Sequence, residues 1–328
     1  MSVLVTGGAG YIGSHMVHRL CDAGETVVVL DNLTTGFDWA IPAAAQLIEG
    51  DVGDEAFVSQ NIKDHDVDAI VHFAGSIVVP ESVVDPLGYY LNNTVKSRSL
   101  IASAVAGGVK NFIFSSTAAV YGAPETMPVT EATPQIPVSP YGSSKLMTEV
   151  MLRDAAVAHD FRYVALRYFN VAGADPQGRT GQSTKGATHL IKVACEAAQG
   201  KRSHLDVYGT DYDTADGTCV RDYIHVSDLV KAHSDALTYL RDGGAATVMN
   251  CGYSRGFSVL EVVDAVKRAA GVDFDVRLAD RRPGDPPQII AASDLLRSTL
   301  NWQPDHDDLD TIVRHALDWE AALAKRNR

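Results

Sequence analysis

The segment from Ser2 to His15 constrains this chain more than any other. SVLVT (2–6) is a short β-branched run, and three glycines follow at three-residue spacing, Gly7, Gly10 and Gly13. From Tyr11 to Ala23, apolar Ile12, Met16, Val17 and Leu20 recur at helical spacing. Strand, glycine turn and helix in that order make the phosphate-binding unit of a dinucleotide fold. One glycine permits the tight turn, one lets the backbone approach a pyrophosphate, and one packs helix against strand. Amides at the helix start then favour an anion. Gly24 ends the helix, TVVVL (26–30) forms a second strand, and Asp31 stands at its end, 18 residues after Gly13. A carboxylate there accepts bonds from ribose hydroxyls and repels a 2′-phosphate, which favours NAD over NADP. A glycine turn alone is a weak signal; its place between strand and helix, with the acid following, makes it a strong one.

The rest of the first half repeats the alternation. AIVHF (69–73), NFIFS (111–115) and YVALRY (163–168) are further strand candidates. They are apolar on both faces, as strands covered by helices on both sides are. The expected fold is α/β, a Rossmann-type doubly wound parallel sheet. Beyond about residue 175 the pattern changes. Asp175–Thr188 and Gly209–Thr218 are long polar, glycine-containing loops of the kind that carry function. Helices resume near His189, over Ser227–Leu240, and over Ser258–Ala270, the last with a capping box (Ser258, Glu261) and Gly271 past its end. Pro283, Pro286 and Pro287 mark a loop, and Leu309–Leu323 reads as an amphipathic helix. We expect a first domain over 1–175 and a smaller mixed α/β lobe over 176–328, with the Val248–Gly252 strand a candidate to return to the first.

The chain has 328 residues, a length for which two domains is the natural expectation. Its 28 basic and 41 acidic side chains leave a net charge of -13, which argues against nucleic acid or an anionic membrane surface as the main partner. An anionic small molecule needs only a few well-placed donors. Cys21, Cys195, Cys219 and Cys251 form no C-x-x-C pair, so neither a zinc ribbon nor a disulfide framework is expected. No basic n-region precedes the first apolar run, and no apolar stretch reaches membrane-spanning length. The expected location is the cytoplasm. His15 and His18 share a helix, but the histidines form no ligand cluster in sequence, and no metal is expected.

Tyr141 and Lys145 are four residues apart in YGSSK, at the start of a helical stretch running through Leu146, Val150 and Leu152. Residues so spaced share a helix face, which would set a phenol beside an ammonium. A general base near neutrality needs the tyrosine pKa of about 10 lowered by roughly three units, or about 4 kcal/mol. One cation at about 6 Å supplies roughly 2 to 3 kcal/mol at an effective dielectric near 20. Lys145 alone falls short; the positive ring of an oxidised nicotinamide would make up the rest. Ser115-Ser116-Thr117 follow the 111–115 strand, at the end that faces the ligand crevice in such sheets. A hydroxyl at Thr117 can bridge Tyr141 and a substrate hydroxyl; the competing reading is an ordinary helix cap.

Together these motifs resemble the extended short-chain dehydrogenase/reductase superfamily, and within it the UDP-glucose 4-epimerase family. The resemblance runs almost end to end: TGGAGYIGSH (6–15), LDN (30–32), HFAG (72–75), ESV (81–83) with a following YY (89–90), NFIFSSTAAVYG (111–122), SPYGSSK (139–145), RYFNVAGA (167–174), DGTCVRDYIHVSDL (216–229) and RRPGD (281–285). It implies that Tyr141 is the catalytic base, that Lys145 binds the nicotinamide ribose, and that Thr117 is the family's Ser/Thr. It implies NAD contacts from the glycine loop with Tyr11 and Ile12, and from Asp31, Asn32, Leu33, Thr34, Thr35 and Gly36. Asp51, Val52, Phe73, Ala74, Gly75, Asn93, Ser115 and Phe169 complete that set, Asp51 as acceptor for the adenine amino group. Asn170, His189, Leu190, Tyr208, Arg221, Arg282 and Asp285 match contacts to a UDP-hexose in the second lobe. The two arginines suit charge-assisted binding of a diphosphate. A homodimer through helices of the first lobe is implied as well.

Ile77 stands where many relatives have Lys, and His189 where many have Asn. Ile289 aligns with a gate position for N-acetylated sugars and is neither the bulky Tyr of restrictive members nor the small Cys of permissive ones. The resemblance therefore points to interconversion of UDP-galactose and UDP-glucose through a 4-keto sugar, with UDP-GlcNAc, UDP-xylose or UDP-glucuronate as alternative substrates. A 4,6-dehydratase would carry Asp-Glu after the threonine, where this chain has Ala118-Ala119. A catalytically silent NAD-binding regulator would not need Thr117, Tyr141 and Lys145 together.

Overall fold

The computed structural model describes residues 1–282 and 285–326; Pro283 and Gly284, within the expected proline loop, lie outside the described residues. The strands are β1 (Ser2–Thr6), β2 (Val27–Asp31), β3 (Gln46–Glu49), β4 (Val67–His72), β5 (Asn111–Ser115), β6 (Arg162–Tyr168), β7 (Asn170–Ala172), β8 (Leu205–Tyr208), β9 (Val220–His225), β10 (Thr247–Cys251), β11 (Gly256–Ser258), β12 (Val276–Ala279) and β13 (Gln288–Ile289). The helices are α1 (Tyr11–Asp22), α2 (Glu55–Asp64), α3 (Val79–Val84), α4 (Pro86–Tyr89), α5 (Lys96–Ala106), α6 (Pro140–Ala158), α7 (Leu190–Ala198), α8 (Val226–Arg241), α9 (Val259–Ala270), α10 (Asp294–Leu300) and α11 (Leu309–Arg326). A π-helical turn over Tyr90–Val95 joins α4 to α5.

Seven parallel strands form the main sheet in the order β10-β6-β5-β4-β1-β2-β3. The strand order reverses between β1 and β4, and in such sheets the ligand crevice opens there, beyond the carboxyl ends of the strands. Side chains alternate between two cores as the pleat requires. Val3, Val5, Val27, Val29, Ala69 and Val71 face one core with Met16, Val17 and Leu20 of α1 and Leu229 and Leu237 of α8. Leu4, Val28, Leu30, Ile70, Phe112 and Phe114 face the other, with Val58 and Ile62 of α2, Leu100 of α5 and Leu152 of α6.

The chain beyond 175 is shared between the sheet and a smaller assembly. β10 closes the β6 edge of the main sheet, and α8 packs on α1. Four strands, β7, β9, β11 and β13, form a mixed sheet around β9, and β8 pairs with β12. Glu320 of α11 accepts from Lys192 of α7 and Lys201, which ties the last helix to this lobe. Among the described residues no helix is long and apolar enough to cross a membrane.

Candidate active site

The glycine turn sits at the reversal point. Gly7 takes a positive φ of 70°, and a Cβ built on it would lie 2.6 Å from the Ala74 amide nitrogen at the end of β4. A Cβ on Gly13 would lie 2.1 Å from the carbonyl oxygen of Gly7. Only glycine lets the turn, the helix and the neighbouring strand end approach so closely. Gly10 caps α1 without a side-chain acceptor, and no acid occupies the first helical turn. The amides there are left to an external anion, as a pyrophosphate cradle requires.

Asp31 ends β2 and is buried. Its carboxylate accepts from the Ala9 amide at 2.9 Å and from the Leu33 amide at 2.9 Å. Each oxygen keeps a lone pair for a ribose hydroxyl. The loop after it, 32–36, turns through Leu33 at a φ of 56° and folds back onto the glycine turn, where the Phe37 amide donates to the Ala9 carbonyl at 3.0 Å. Phe37, Thr180 and Thr184 line a small pocket beside Gly10 and Tyr11, so the 175–188 loop forms an outer wall of the cradle. Asp51 accepts from Lys96 at 2.5 Å and from the Gly53 amide at 2.8 Å. Burial raises its pKa, but these bonds outweigh that and hold the carboxyl below its ordinary range. Val52 packs into the second core.

β4 and β5 present the next group. His72 is fixed between the Thr6 hydroxyl at 2.6 Å and the Ser97 hydroxyl at 2.8 Å, and burial keeps it neutral, with a pKa lowered to about 3. Phe73 follows, its ring 4.9 Å from that of His233. Asn93, in the π-helical turn, accepts from the Ser76 amide at 2.7 Å and donates to the Ser76 carbonyl at 2.9 Å and the Ser144 hydroxyl at 3.1 Å. Its amide is thus spent on holding the 75–76 turn against α6. Phe169 packs with Val120, Tyr121 and Val129 in a small cluster of its own.

Tyr141 and Lys145 lie in the first turns of α6, which Ser139 caps by accepting from the Gly142 amide at 3.2 Å. Both side chains are buried. Lys145 donates to the Ser115 carbonyl at 3.1 Å and lies 5.0 Å from the Phe114 ring centre, and burial lowers its pKa to about 8. The Tyr141 phenol neighbours Thr117; burial raises its pKa and the Thr117 hydroxyl pulls it back. Spacing on a helix sets the face, but the long lysine side chain runs on to the strand end. Thr117 also caps the short 118–121 turn, accepting from the Ala119 amide at 3.1 Å. The cap reading of Thr117 holds. Ser115 is hydrogen-bonded through its hydroxyl to Tyr168.

The expected nucleotide-sugar residues form two groups. Asp285 bridges the arginines, 3.8 Å from Arg221 and 3.2 Å from Arg282, and the Arg282 guanidinium lies over the Tyr208 ring at 4.6 Å. Ile289 is the register partner of Arg221. Asn170, His189 and Leu190 line a pocket with Tyr11, whose hydroxyl donates to the Gly173 carbonyl at 2.7 Å. His189 is the N-cap residue of α7, and burial lowers its pKa.

Sequence reasoning missed some of the architecture around the site. Arg281, beside Arg282, is spent on Asp211 at 2.6 Å and on the Tyr212 ring at 4.1 Å. His225, His306 and His315, far apart in sequence, bring their rings within 4.6 to 5.5 Å of one another. Glu149, four residues beyond Lys145, is buried beneath the Ser115–Thr117 segment; its spacing of eight from Tyr141 was the available signal.

Residues 3–252 match the NAD dependent epimerase/dehydratase family. The chain is 60% identical over 321 residues to the UDP-glucose 4-epimerase of Azospirillum brasilense, covering 98% of this chain and 92% of that one. It superposes on the UDP-Glc/GlcNAc 4-epimerase of Campylobacter jejuni with a TM-score of 0.86 at 49% identity, covering 98% of this chain and 99% of that one. The crystal structure of UDP-glucose 4-epimerase from Bifidobacterium longum in complex with NAD+ and UDP matches with a TM-score of 0.93 at 38% identity, covering 98% of each chain. With the glycine cradle, Asp31 and the Thr117–Tyr141 pair at one crevice, these likenesses establish that the chain belongs to the NAD dependent epimerase/dehydratase family, among the UDP-glucose 4-epimerases.

Proposed function

We propose that the protein interconverts UDP-galactose and UDP-glucose, an NAD-dependent epimerisation at C4 through a 4-keto sugar. The observation that supports this reading is the buried Tyr141 phenol next to Thr117, which follows the β5 strand end, with Lys145 of the same helix reaching that strand end. A proton acceptor is thereby set next to a dinucleotide site. NAD fits the cradle, with Gly7, Gly10 and Gly13 leaving room and donors for the pyrophosphate, Asp31 and the 32–36 loop for a ribose, and Lys145 for the second ribose. When bound, it would supply the two-electron oxidant for C4 and the positive charge of its oxidised ring.

The side chains then divide the work. Tyr141 accepts the proton of the sugar 4-hydroxyl at its Oη, and Thr117 relays or steadies that proton. With Tyr141 raised by burial in the free chain, the phenol is protonated at neutral pH and becomes a base only in the loaded site. Lys145, at about 8, keeps most of its positive charge at pH 7. Arg221 and Arg282 hold the diphosphate, and Asp285 bridges and orients them. Because the nucleotide carries the binding, the 4-keto sugar can turn within the site and present its other face. Tyr141 returns its proton to the 4-oxygen as the hydrogen with its electron pair is restored to C4, so net redox would be zero and no cofactor consumed.

Proton NMR of the purified protein with UDP-galactose and no added cofactor tests this: growth of UDP-glucose signals is expected, and no conversion even with NAD supplied would overturn it. The same assay with UDP-GlcNAc tests the second sugar that the Campylobacter jejuni relative's name carries. Arg221→Ala removes a charge-assisted contact of about 1.5 to 3 kcal/mol. KM for UDP-galactose should rise roughly 10- to 100-fold, with kcat nearly unchanged. Steady-state kinetics check it; a kcat loss at constant KM would place Arg221 elsewhere.

The protein is further proposed to be a homodimer. Leu87, Leu91 and Val95 fall at helical spacing along α4 and the π-helical turn and are 77%, 55% and 51% exposed, with Val84 at the end of α3 and Met147 and Val150 of α6 also exposed. Such a face is ordinarily covered by a partner. Sedimentation at the monomer mass would contradict it. The four free cysteines, three of them buried, suit a reducing cytoplasm as the proposed location.

A further inference from the structure

Tyr141, Lys145 and Glu149 recur every four residues along α6, on one face. The first two are taken by the proposed chemistry; the third has been given no role. Glu149 is 4% exposed, and its partner Arg167 is also 4% exposed. Arg167 donates through Nε to both carboxylate oxygens at 3.0 and 3.2 Å, and through Nη2 to Oε2 at 2.5 Å. A buried ion pair of this geometry has its charge matched, with carboxylate lone pairs left for further donors. Oε1 accepts one bond more, from the hydroxyl of Ser116.

Ser116 is fully buried and immediately precedes Thr117. Its amide donates to the Leu166 carbonyl at 2.9 Å, so backbone and side chain are both tied down. The far end of the same segment is tied to the same pair: Arg167 donates to the Tyr121 hydroxyl at 2.9 Å, which donates to Asn250 Oδ1 at 2.7 Å. Thr117 itself holds an extended backbone, φ −155° and ψ 149°, and its hydroxyl is oriented by the Ala119 amide within that segment. Where the Thr117 hydroxyl stands relative to Tyr141 therefore depends on where Ser116 and Tyr121 hold the loop.

We infer that Ser116, held by the Glu149–Arg167 pair, is a positioning residue that keeps the Thr117 hydroxyl against the Tyr141 phenol. The inference rests on the reading of Thr117 and Tyr141 as the proton path. Proton transfer demands heavy-atom separations of about 2.6 to 3.2 Å, and a displacement of about 1 Å can cost on the order of 100-fold.

A kinetic cycle tests it. Ser116→Ala removes one hydroxyl and leaves all three Arg167 bonds to Glu149. With UDP-galactose, kcat should fall about tenfold while KM stays within about twofold, and the acidic limb of the kcat–pH profile should move to higher pH. Ser116→Cys, which keeps a weak donor, should recover part of the loss, and it takes the place of Ser116→Ala should that variant not fold. In a Thr117→Ala background the Ser116 substitution should cost less than about twofold, since its effect runs through the missing hydroxyl. Equal losses in both backgrounds, or an unchanged kcat and pH profile in the single variant, would overturn the positioning role and leave the reading of Thr117 standing. A Thr117→Ala enzyme as active as the parent would overturn that reading itself.

Discussion

Tyr141→Phe should lower kcat with UDP-galactose about 10³-fold while the purified protein carries as much NAD as the parent. The substitution deletes one oxygen from a buried side chain whose ring packing survives. It removes the phenol oxygen beside Thr117, and with it the only acceptor proposed for the 4-hydroxyl proton. Cofactor content, read from NAD released on denaturation, separates lost chemistry from lost binding. Activity within about tenfold of the parent would show that another group takes the proton. Loss of NAD along with activity would mean that the phenol serves the cofactor site.

Gly13→Ala should act at the opposite end of the crevice and by the opposite route. The added methyl carbon would sit 2.1 Å from the Gly7 carbonyl oxygen and 2.8 Å from the Gly8 Cα. Both neighbours are backbone, so no side chain can swing aside; either α1 lifts from β1 or the turn opens. Overpacking of this kind costs about 3 kcal/mol, roughly 4 °C in a melting temperature for a chain of this size. The turn is also the pyrophosphate cradle, so bound NAD should fall below about a tenth of the parent content, taking with it the stabilisation that a bound ligand confers. Thermal melts with and without added NAD check both parts. A parent-like melt and full NAD content would contradict the cradle assignment.

The parts of the molecule that were legible in sequence are those whose signal is contiguous. β1 was expected at 2–6 and lies there, and α1 was expected from Tyr11 and begins there. The second strand was expected to stop at Leu30; it includes Asp31, which places the carboxylate on the last strand residue. The Ser258–Glu261 box and Gly271, at a φ of 65°, bound α9 as read. β3 went unread because QLIE is an edge strand with both ends exposed and no apolar alternation. β8 and β12 escaped because each is short and finds its partner about seventy residues away.

The site divides in the same manner. Glycine turn, acid and Y-x-x-x-K are local patterns whose chemistry follows from spacing. Periodicity puts Tyr141 and Lys145 on one helix face, but it could not say that the lysine would reach the Ser115 carbonyl or that the phenol would neighbour Thr117. The Arg221–Asp285–Arg282 cluster joins β9 to a distant loop, and no local rule predicts such a meeting. The Ser116–Glu149–Arg167 link draws on three separate elements. Buried polar networks of this kind depend on tertiary placement, which no single stretch of sequence encodes.

The most direct measurement follows the hydrogen at C4. UDP-galactose carrying deuterium at C4 is converted in ordinary water by the purified protein with no added cofactor, and the product is examined by NMR. Epimerisation by transient oxidation and return of the same hydrogen should yield UDP-glucose with the deuterium still at C4. Loss of the label to solvent, or no UDP-glucose at all, would contradict it.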